Sequence, residues 1–362
     1  MADRVVVAMS GGVDSSVAAA LLKQQGYDVV GISLKLWPKE LCDEVPKEKV
    51  CCSARDIEDA RLVADRLGIP FYVLDASDRF QHEVIDYFVS AYAEGETPNP
   101  CVACNRAIKC GYLWERAQAL GARWLATGHY ANILWGETRR RCAVREAADA
   151  QKDQSYVLFQ LTQEQLAHLL LPLGAMTKPA VRAVAQELGL TEVAAKPDSQ
   201  EICFVPAGGY REFLRPRATR GLAPGPIETA DGRVLGEHQG IALYTVGQRK
   251  GLGIAAPQPL YVTALDPARN AVIIGGVEAL RRTTCRCRDA RWMGIETLSE
   301  PRRVGVKIRY HHPKSPAWIR PSQEGMVAVE FDEPQLAVTP GQAAVFYEGD
   351  AVLGGGWITA DA

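Results

Sequence analysis

The sequence predicts a doubly wound α/β domain with a parallel sheet, followed by a small β-rich domain and a C-terminal β-barrel. Strand and helix signals alternate through the first half of the chain, which is typical of a parallel sheet with helices on both faces. Beyond about residue 205, Gly and Pro become dense, and beyond about residue 280 the pattern is that of β-strands throughout. A chain of 362 residues is expected to form two or three domains. We place them at residues 1–205, 206–280 and 281–362.

The elements of the first half follow from apolar runs and amphipathic segments. Four runs predict strands of the parallel sheet: Arg4–Met9, Asp28–Leu36, Phe71–Asp75 and Arg123–Ala126. Three segments predict helices: Ser16–Gln25, Ala54–Leu67 and Arg106–Leu120. Ligands of such sheets bind beyond the carboxyl ends of the strands, so the loop after the first strand is the first place to look for a site.

Shorter runs predict the two β-rich parts. In the central part the runs are Ile241–Tyr244, Leu260–Ala264 and Ala271–Ile274. In the last part, apolar Val304, Val306, Ile308 and Tyr310 alternate with basic Arg303, Lys307, Arg309 and His311, which predicts a strand with one apolar and one basic face. The runs Met326–Phe331, Ala343–Tyr347 and Ala351–Leu353 continue the β pattern and predict a barrel.

Charge is distributed unevenly along a chain whose formal net charge is −2. Residues 281–320 contain 11 Lys or Arg against 3 acidic residues, whereas residues 321–362 contain 7 acidic residues and no Lys or Arg. A basic block within a near-neutral protein indicates a polyanionic partner. A solvated charged face explains the same count equally well, and charge alone leaves both interpretations open.

Composition argues against a membrane protein and favours a cytoplasmic one. Hydrophobic residues make up 47% of the chain, but no apolar stretch approaches the ~20 residues of a membrane-spanning helix. The first residues lead directly into a strand, so we expect no signal peptide. Ten cysteines without a secretory signal favour a reducing compartment. There, cysteines serve catalysis, metal binding or core packing more often than a disulfide framework.

The loop after the first strand has the composition of an anion cradle. It reads Ser10-Gly11-Gly12-Val13-Asp14-Ser15-Ser16 and precedes a helix, so backbone N–H groups and the helix dipole favour a phosphate there. The serines add donors, and Asp14 could cap the helix or hold a magnesium ion. The loop lacks the lysine of a Walker A motif. It resembles the loop of the N-type ATP-pyrophosphatases, which cut ATP between the α and β phosphates and activate a carbonyl oxygen as its adenylate. The competing interpretation is a plain Gly-Gly turn.

Two further segments carry candidate nucleophiles. In the segment Thr97–Arg106, Cys104 comes just before a predicted helix, and a helix N-terminus lowers the pKa of a thiol. The polar segment Lys196–Phe204 leads to Cys203. The other cysteines are interpreted as small buried residues (Cys42, Cys110, Cys142) or strand residues (Cys285, Cys287), and Cys51-Cys52 has no role that we can assign.

An ordered set of motifs resembles the bacterial tRNA-specific 2-thiouridylase family, a branch of the N-type ATP-pyrophosphatases. The motifs are Ala8–Ser15, Asn99-Pro100, Cys104-Asn105, Gly128-His129-Tyr130-Ala131, Lys152-Asp153-Gln154-Ser155-Tyr156, Asp198-Ser199, Ile202-Cys203-Phe204, Tyr244–Arg249, Arg309-Tyr310 and Pro340–Ala343. They span nearly the whole chain, and two cysteines about a hundred residues apart make the set specific. The resemblance implies ATP-dependent 2-thiolation of the wobble uridine of tRNA, with AMP and pyrophosphate released.

The resemblance also implies roles in catalysis. ATP with Mg²⁺ would be bound by Ala8, Met9, Ser10, Gly11, Gly12, Val13, Asp14, Ser15, Leu34 and Gly128, with Leu34 standing where the family often has Met. Asp14, Cys104 and Cys203 would be catalytic. Cys203 would carry the incoming sulfur as a persulfide, and Cys104 would attack it and leave a Cys104–Cys203 disulfide for an external thiol to reduce. The sulfur donor would be a cysteine desulfurase, a sulfur-relay protein or free sulfide.

A third group of residues would bind the RNA. Asn99, Pro100 and Cys101 would contact the target base, and the anticodon stem-loop would be held by His129, Lys152, Asp153, Gln154, Arg309, Tyr310 and Gln342. RNA binding needs phosphate contacts and contacts to a splayed base. The competing interpretations are a structural histidine at residue 129 and a surface turn at residues 152–154.

One departure from the family leaves the route of sulfur open. Many members have Asp where this chain has Cys101, so Cys101, Cys104 and Cys203 could instead hold a [4Fe–4S] cluster with one open iron. A structural zinc would need a fourth ligand, which is not evident near either segment. Two other classes also remain: a ligase or amidotransferase with the same loop, such as an argininosuccinate or GMP synthetase, and an RNA-binding module that merely retains ATP.

Overall fold

The first part of the chain forms a five-stranded parallel sheet. The computed structural model describes residues 2–38, 54–136, 140–197, 202–206 and 208–360. Its first seven strands are β1 (Arg4–Ala8), β2 (Asp28–Lys35), β3 (Phe71–Asp75), β4 (Trp124–Ala126), β5 (Asn132–Gly136), β6 (Arg141–Arg145) and β7 (Leu169–Leu170). The sheet order is β3-β2-β1-β4-β7, and all of its pairings are parallel. The predicted doubly wound sheet is confirmed, with its four predicted strands within one residue or two.

Helices cover both faces of this sheet. They are α1 (Val13–Gln24), α2 (Ala54–Leu67), α3 (77–93), α4 (100–119), α5 (Gln163–Ala167), α6 (Lys178–Glu187), α7 (Thr191–Ala194) and α8 (Tyr210–Leu214). Val5 and Val7 of β1 belong to one apolar cluster and Val6 belongs to another, and all three are fully buried. A strand covered on both faces is therefore uniformly apolar. Among the described residues, no helix is long and apolar enough to cross a membrane.

Helix α4 begins earlier than its sequence pattern indicated. It was predicted over Arg106–Leu120, but the structure starts it at Pro100, with Asn99 as the N-cap. The Asn99 Oδ1 accepts a hydrogen bond from the Val102 N–H at 3.4 Å, and proline suits the first helical position because it lacks an N–H. The segment Cys104–Tyr112 within it has π-helical geometry. Cys104 therefore lies inside the helix and not just before it.

The central part of the chain forms a four-stranded mixed sheet. Its strands are β8 (Gly225–Thr229), β9 (Val234–His238), β10 (Tyr261–Asp266) and β11 (Ala271–Gly275), in the order β10-β11-β8-β9. The apolar run Ile241–Tyr244 was counted as β by its composition, but it forms a short 3₁₀ turn over Ile241–Leu243. A short apolar run specifies burial more strongly than it specifies backbone conformation.

The last part of the chain forms a closed barrel. Its strands are β12 (Arg281–Trp292), β13 (Arg302–Lys307), β14 (Ser315–Pro321), β15 (Val327–Leu336), β16 (Ala343–Glu348) and β17 (Ala351–Ile358). The order is β12-β15-β14-β13-β16-β17, and the pairing of β12 with β17 closes six antiparallel strands into a barrel. This confirms the predicted C-terminal barrel, whose interior is filled by residues such as Val306 and Phe346.

The predicted basic strand face is only partly present. Strand β13 ends at Lys307, so Arg309 and His311 lie in the turn that follows. Lys307 is largely buried and pairs with Glu146 at 3.1 Å and Asp153 at 3.3 Å. Carboxylates from the first part of the chain thus neutralise a charge that the sequence pattern placed in solvent.

A hairpin from the first part of the chain joins the barrel sheet. Strands β5 and β6 were not predicted, and β6 pairs with β17 through Arg145 and Ala351. The Tyr156 hydroxyl also donates to the Ala343 carbonyl at 3.0 Å. The barrel is therefore attached to the parallel-sheet part by strand pairing and by buried hydrogen bonds as well as by the ion pairs of Lys307.

The barrel interior gives a stability prediction. Replacing the fully buried Phe346 by Ala is expected to lower the free energy of unfolding by about 3–5 kcal/mol, because a large cavity remains. Leu336→Ala is the matched control: Leu336 is 40% exposed, so its truncation should change stability by less than about 0.5 kcal/mol. Urea unfolding followed by tryptophan fluorescence measures both, since Trp292 stacks on Phe346 at 5.7 Å. Equal midpoints would contradict this packing.

Candidate active site

The Ser-Gly-Gly loop and the start of α1 pack closely against the start of α2 and the segment that follows β4. Gly11 has a φ of +72°, and a Cβ there would lie 2.1 Å from the Asp56 carbonyl oxygen at the start of α2. A Cβ on Gly128, which follows β4, would lie 2.7 Å from the Ser15 nitrogen. Glycine is therefore required at both positions, since any side chain would displace backbone.

The loop leaves the first N–H groups of α1 for a ligand. Gly12 is the N-cap and makes no side-chain cap bond, so Asp14 does not cap the helix. The Ser15 and Ser16 hydroxyls donate to the Gly12 carbonyl at 3.2 and 2.9 Å, and Ser10 is exposed. Uncapped N–H groups at a helix start attract phosphate.

A lysine from a distant helix supplies the positive charge that the loop lacks. Lys178 Nζ, at the start of α6, lies 2.8 Å from each carboxylate oxygen of Asp14, and the Tyr130 hydroxyl donates to Asp14 at 2.7 Å. Lys178 is only 8% exposed. Sequence reasoning missed it, because no local motif marks a lysine 164 positions from its partner.

The remaining predicted ATP residues lie around this loop. Ala8 ends β1, and Met9, Val13 and Leu34 are buried, with Leu34 near the end of β2. The order of β2, β1 and β4 places the loop where the direction of winding reverses, which is where such sheets bind ligands.

The cysteines of α4 lie around a lysine that sequence reasoning also missed. Lys109 follows Cys104 by one turn of the π-helical segment, because a π-helix bonds residue i to residue i+5. Its ammonium group interacts electrostatically with Cys104, Cys101, Cys203 and Cys110. Burial lowers the pKa of Lys109, but these four sulfurs outweigh burial and raise it above its ordinary value.

Burial determines the protonation of Cys104. Cys104 is 8% exposed, and desolvation raises the pKa of its thiol to about 11 even though the Lys109 charge opposes the rise. The sequence argument that a helix start lowers this pKa is therefore wrong in direction. Cys104 lies within α4 and in the apolar cluster, where loss of hydration dominates.

Cys101 faces the barrel. It is exposed, and its charge acts on Tyr310, which follows β13. Burial, with smaller contributions from Asp153 and Cys101, raises the pKa of Tyr310 to about 12. The Tyr310 ring lies 6.2 Å from that of Tyr156, and the charge of Arg309 acts on Tyr156. Cys101 therefore interacts electrostatically with Tyr310, and Arg309 with Tyr156, although about 200 residues separate Cys101 from the turn after β13.

Other predicted RNA residues have structural partners. Asp153 is buried and accepts hydrogen bonds from the Ser155 hydroxyl at 2.8 Å and the Ala147 N–H at 3.0 Å. Gln154 Oε1 accepts from the Tyr130 N–H at 3.0 Å. Gln342 donates to the Thr97 carbonyl at 3.0 Å. These contacts hold the residues in place and leave their RNA roles as predictions.

His129, Lys152 and Pro100 complete the predicted set. His129 Nδ1 lies 2.7 Å from the Thr127 hydroxyl, and burial, aided by the Lys109 charge, holds the pKa of His129 well below its ordinary value. Its ring is therefore neutral at physiological pH. Lys152 is half-buried, and Pro100 is buried at the start of α4.

Comparison with known proteins identifies the family. Family models match residues 3–207 ("tRNA methyl transferase HUP domain"), 211–276 ("tRNA methyl transferase PRC-barrel domain") and 282–358 ("Aminomethyltransferase beta-barrel domain"). The chain is 53% identical over 98% of both chains to the tRNA-specific 2-thiouridylase MnmA of Moorella thermoacetica. It is 51% identical over 99% of its length and 92% of the relative to that of Symbiobacterium thermophilum. The chain belongs to the tRNA-specific 2-thiouridylase family.

Some family motifs fall outside the described residues. Asp198-Ser199 lies there, and so do Cys42 and Cys51-Cys52. Among the described residues, Cys110 and Cys142 are buried, as predicted. Cys285 and Cys287 lie in β12, which agrees with their prediction as strand residues. Within the same ranges, no three His, Cys, Asp or Glu side chains form a group placed to hold a metal ion.

The raised pKa of Cys104 gives a pH prediction. Because the thiol is protonated below about pH 11, its alkylation by iodoacetamide should be slow at neutral pH and rise about tenfold per pH unit as thiolate forms. Lys109→Met should slow the reaction further, since it removes the charge that favours thiolate. Arg116→Met, an exposed residue of the same helix, is the matched control. Peptide mass spectrometry measures the rate at Cys104, and a rate that is flat above pH 7 would contradict the assignment.

Proposed function

We propose that this protein is an ATP-dependent tRNA sulfurtransferase that converts the wobble uridine to 2-thiouridine. The observation that supports this most directly is the joint presence of an uncapped phosphate loop beside a buried lysine and of four cysteines that interact electrostatically with a second lysine. The first arrangement suits adenylation and the second suits transfer of anionic sulfur. The relatives named above carry the same activity in their names.

The phosphate loop would perform the first step. A uracil C2 carbonyl is a poor electrophile, so its oxygen attacks the α-phosphate of ATP and pyrophosphate leaves. The N–H groups at the start of α1 would hold the phosphates, and Lys178 would balance the charge that develops on the leaving pyrophosphate. ATP would bring Mg²⁺ with it. In the ligand-free arrangement the carboxylate oxygens of Asp14 are occupied by Lys178 and Tyr130, so Asp14 would reach Mg²⁺ after Lys178 turns to the phosphates.

The cysteines would perform the second step. The outer sulfur of a Cys203 persulfide attacks C2, and AMP leaves with the former carbonyl oxygen. The Cys104 thiolate then attacks the Cys203 sulfur, which releases the 2-thio group and forms a Cys104–Cys203 disulfide. The sulfane sulfur is reduced and the two cysteines are oxidised, so an external thiol must restore them.

Lys109 would make this chemistry feasible in a buried site. Buried thiols resist ionisation, yet every sulfur species in the transfer is anionic at some stage. An ammonium group that interacts with both Cys104 and Cys203 stabilises those anions without moving between steps. This makes Lys109 a candidate for holding charge during sulfur transfer.

The barrel would present the RNA to the cysteines. Tyr310 interacts electrostatically with Cys101 near the start of α4, and Arg309 with Tyr156. A guanidinium with an aromatic ring suits a splayed nucleotide. The sulfur donor, which we propose is a cysteine desulfurase or a relay protein, would reach Cys203 from its half-buried side.

The cluster route is the alternative within the same function. Cys101, Cys104 and Cys203 would be its ligands, but the described side chains do not converge as such a set. The residues present therefore fit discrete thiols around Lys109 better than they fit a cluster, and no step of the proposed reaction passes through iron.

The deciding experiment is nucleoside mass spectrometry. Unmodified tRNA is incubated with the protein, ATP, Mg²⁺ and a sulfide source, and 2-thiouridine with equimolar AMP and pyrophosphate is expected. Binding of tRNA without AMP release would support an RNA-binding module. Neither product, in a folded protein, would favour another ligase or amidotransferase.

Cysteine variants separate the two sulfur routes. Cys104→Ala and Cys203→Ala are expected to abolish thiolation while adenylation continues, and Cys101→Ala is expected to retain part of the thiolation. Anaerobic iron and sulfide analysis accompanies each variant. Iron bound by the wild type and absent from all three variants, with activity tracking iron content, would overturn the persulfide proposal.

Lys178 provides a separate prediction for the first step. Lys178→Met should lower pyrophosphate release by about 100-fold or more, the usual effect of removing one donor from a developing anion. Lys178→Arg is the conservative control and should retain more activity. The thermal unfolding midpoint of each variant is measured in parallel. A loss of activity matched in both variants by a lower midpoint would assign Lys178 a structural role only.

A further inference from the structure

A cavity lies where the first and central parts of the chain meet, and none of the residues in the proposed reaction lines it. It has a volume of about 580 Å³ and is lined by side chains that include Tyr92, Tyr210, Arg211, Thr245, Gln248 and Lys250. It lies where the end of α3, helix α8 and the segment 245–250 meet. This segment belongs to the Tyr244–Arg249 motif, to which the proposed function assigns no role.

The walls of this cavity are fixed by hydrogen bonds and ring stacking. The rings of Tyr92 and Tyr210 stack at 4.7 Å. The Tyr210 hydroxyl donates to the Leu243 carbonyl at 3.1 Å and lies 3.3 Å from the Thr245 hydroxyl. Gly247, with a φ of +90°, donates its N–H to the Val262 carbonyl at 2.8 Å. Hydrogen bonds and ring stacking therefore hold the walls of the cavity in a defined arrangement.

Two positive charges face this cavity. Arg211 lies 5.5 Å from the centre of the Tyr244 ring, and a Cβ on Gly251 would lie 3.0 Å from its guanidinium. The Arg211 side chain is thus held between a ring and a glycine. Over the ranges that the structure describes, no salt bridge involves Arg211 or Lys250. Two cations at a preformed cavity complement a phosphate group.

We propose that this cavity binds a phosphodiester group of the RNA substrate, outside the nucleotide that reacts. The inference rests on the proposed function, because it takes RNA as the substrate. Helix α8 begins seven positions after Cys203 in the sequence. Phe204, the neighbour of Cys203, packs on Phe213 of that helix with ring centres 5.2 Å apart. A phosphate held at Arg211 would therefore fix the RNA relative to the sulfur-bearing cysteine.

The experiment measures the salt dependence of tRNA binding. The dissociation constant is determined from 50 to 300 mM KCl for the wild type, Arg211→Gln and Lys250→Gln. Removing one cation that binds a phosphate should weaken tRNA binding several-fold at low salt. It should also reduce the slope of the logarithm of the dissociation constant against log [salt] by about 1. Arg233→Gln is the matched control, because Arg233 is an exposed cation just before β9 that does not line the cavity. Its slope should equal that of the wild type.

The outcomes separate this inference from the proposed function. If the wild type thiolates tRNA but both cavity variants keep the wild-type slope, the inference fails alone. If the cavity variants raise the KM for ATP and leave the salt slope unchanged, the cavity binds a free nucleotide, and this result also overturns the inference. If the wild type shows no thiolation and no tRNA binding, the proposed function fails first. Lys250 is exposed, so its variant remains informative even if Arg211→Gln does not fold.

Discussion

The contact between the barrel and residues 96–99 determines the position of α4, the helix that carries Cys101 and Cys104. The Thr97 N–H donates to the Pro340 carbonyl at 2.8 Å, and the Arg288 guanidinium binds the Glu96 carboxylate through both oxygens, at 2.6 and 2.9 Å. A Cβ on Gly341 would lie 2.7 Å from the Thr97 nitrogen. Because this segment leads directly into Pro100, where α4 begins, the contact sets the position of every side chain on that helix. The ion pair alone would contribute little at a partly exposed surface, but the backbone contact allows one geometry only.

A buried group of charged side chains also joins the barrel to the first part of the chain. Lys307 of β13 lies between Glu146 and Asp153, and Asp153 also accepts from Ser155. Removing one member of such a buried group leaves an uncompensated charge, so the two parts of the chain are held together by charge as well as by shape. The turn that carries Arg309 and Tyr310 follows β13 directly. The turn proposed to contact RNA and the cysteines of α4 proposed to react are therefore held in one continuous structure.

Sequence patterns predicted what local chemistry determines and missed what tertiary contacts determine. The parallel strands were predicted well because each is a single apolar run between helices. The start of α4 was placed at Arg106 because Asn99-Pro100 also fits a rigid loop, and only the Asn99 cap bond distinguishes the two. The predicted direction of the Cys104 pKa shift was wrong, because a helix boundary does not show that strands and helices remote in sequence bury the thiol. Lys109 carried one usable signal, its spacing of five from Cys104, but this matters only in a π-helical segment.

Lys178 shows how the fold completes a motif that the sequence leaves incomplete. A phosphate loop with no lysine of its own needs positive charge to hold a triphosphate, and α6 places Lys178 against Asp14 in the first turn of α1. A nearly buried ammonium is stable only with an anion beside it, and Asp14 fills that requirement in the ligand-free protein. When phosphates arrive, the same ammonium can exchange one anion for another at little electrostatic cost, since its charge stays compensated throughout. The exchange would leave the Asp14 carboxylate beside the phosphates, which is where a magnesium ion would need it. In the proposed function, the ion pair would thus compensate both charges without ATP and supply both of them when ATP binds.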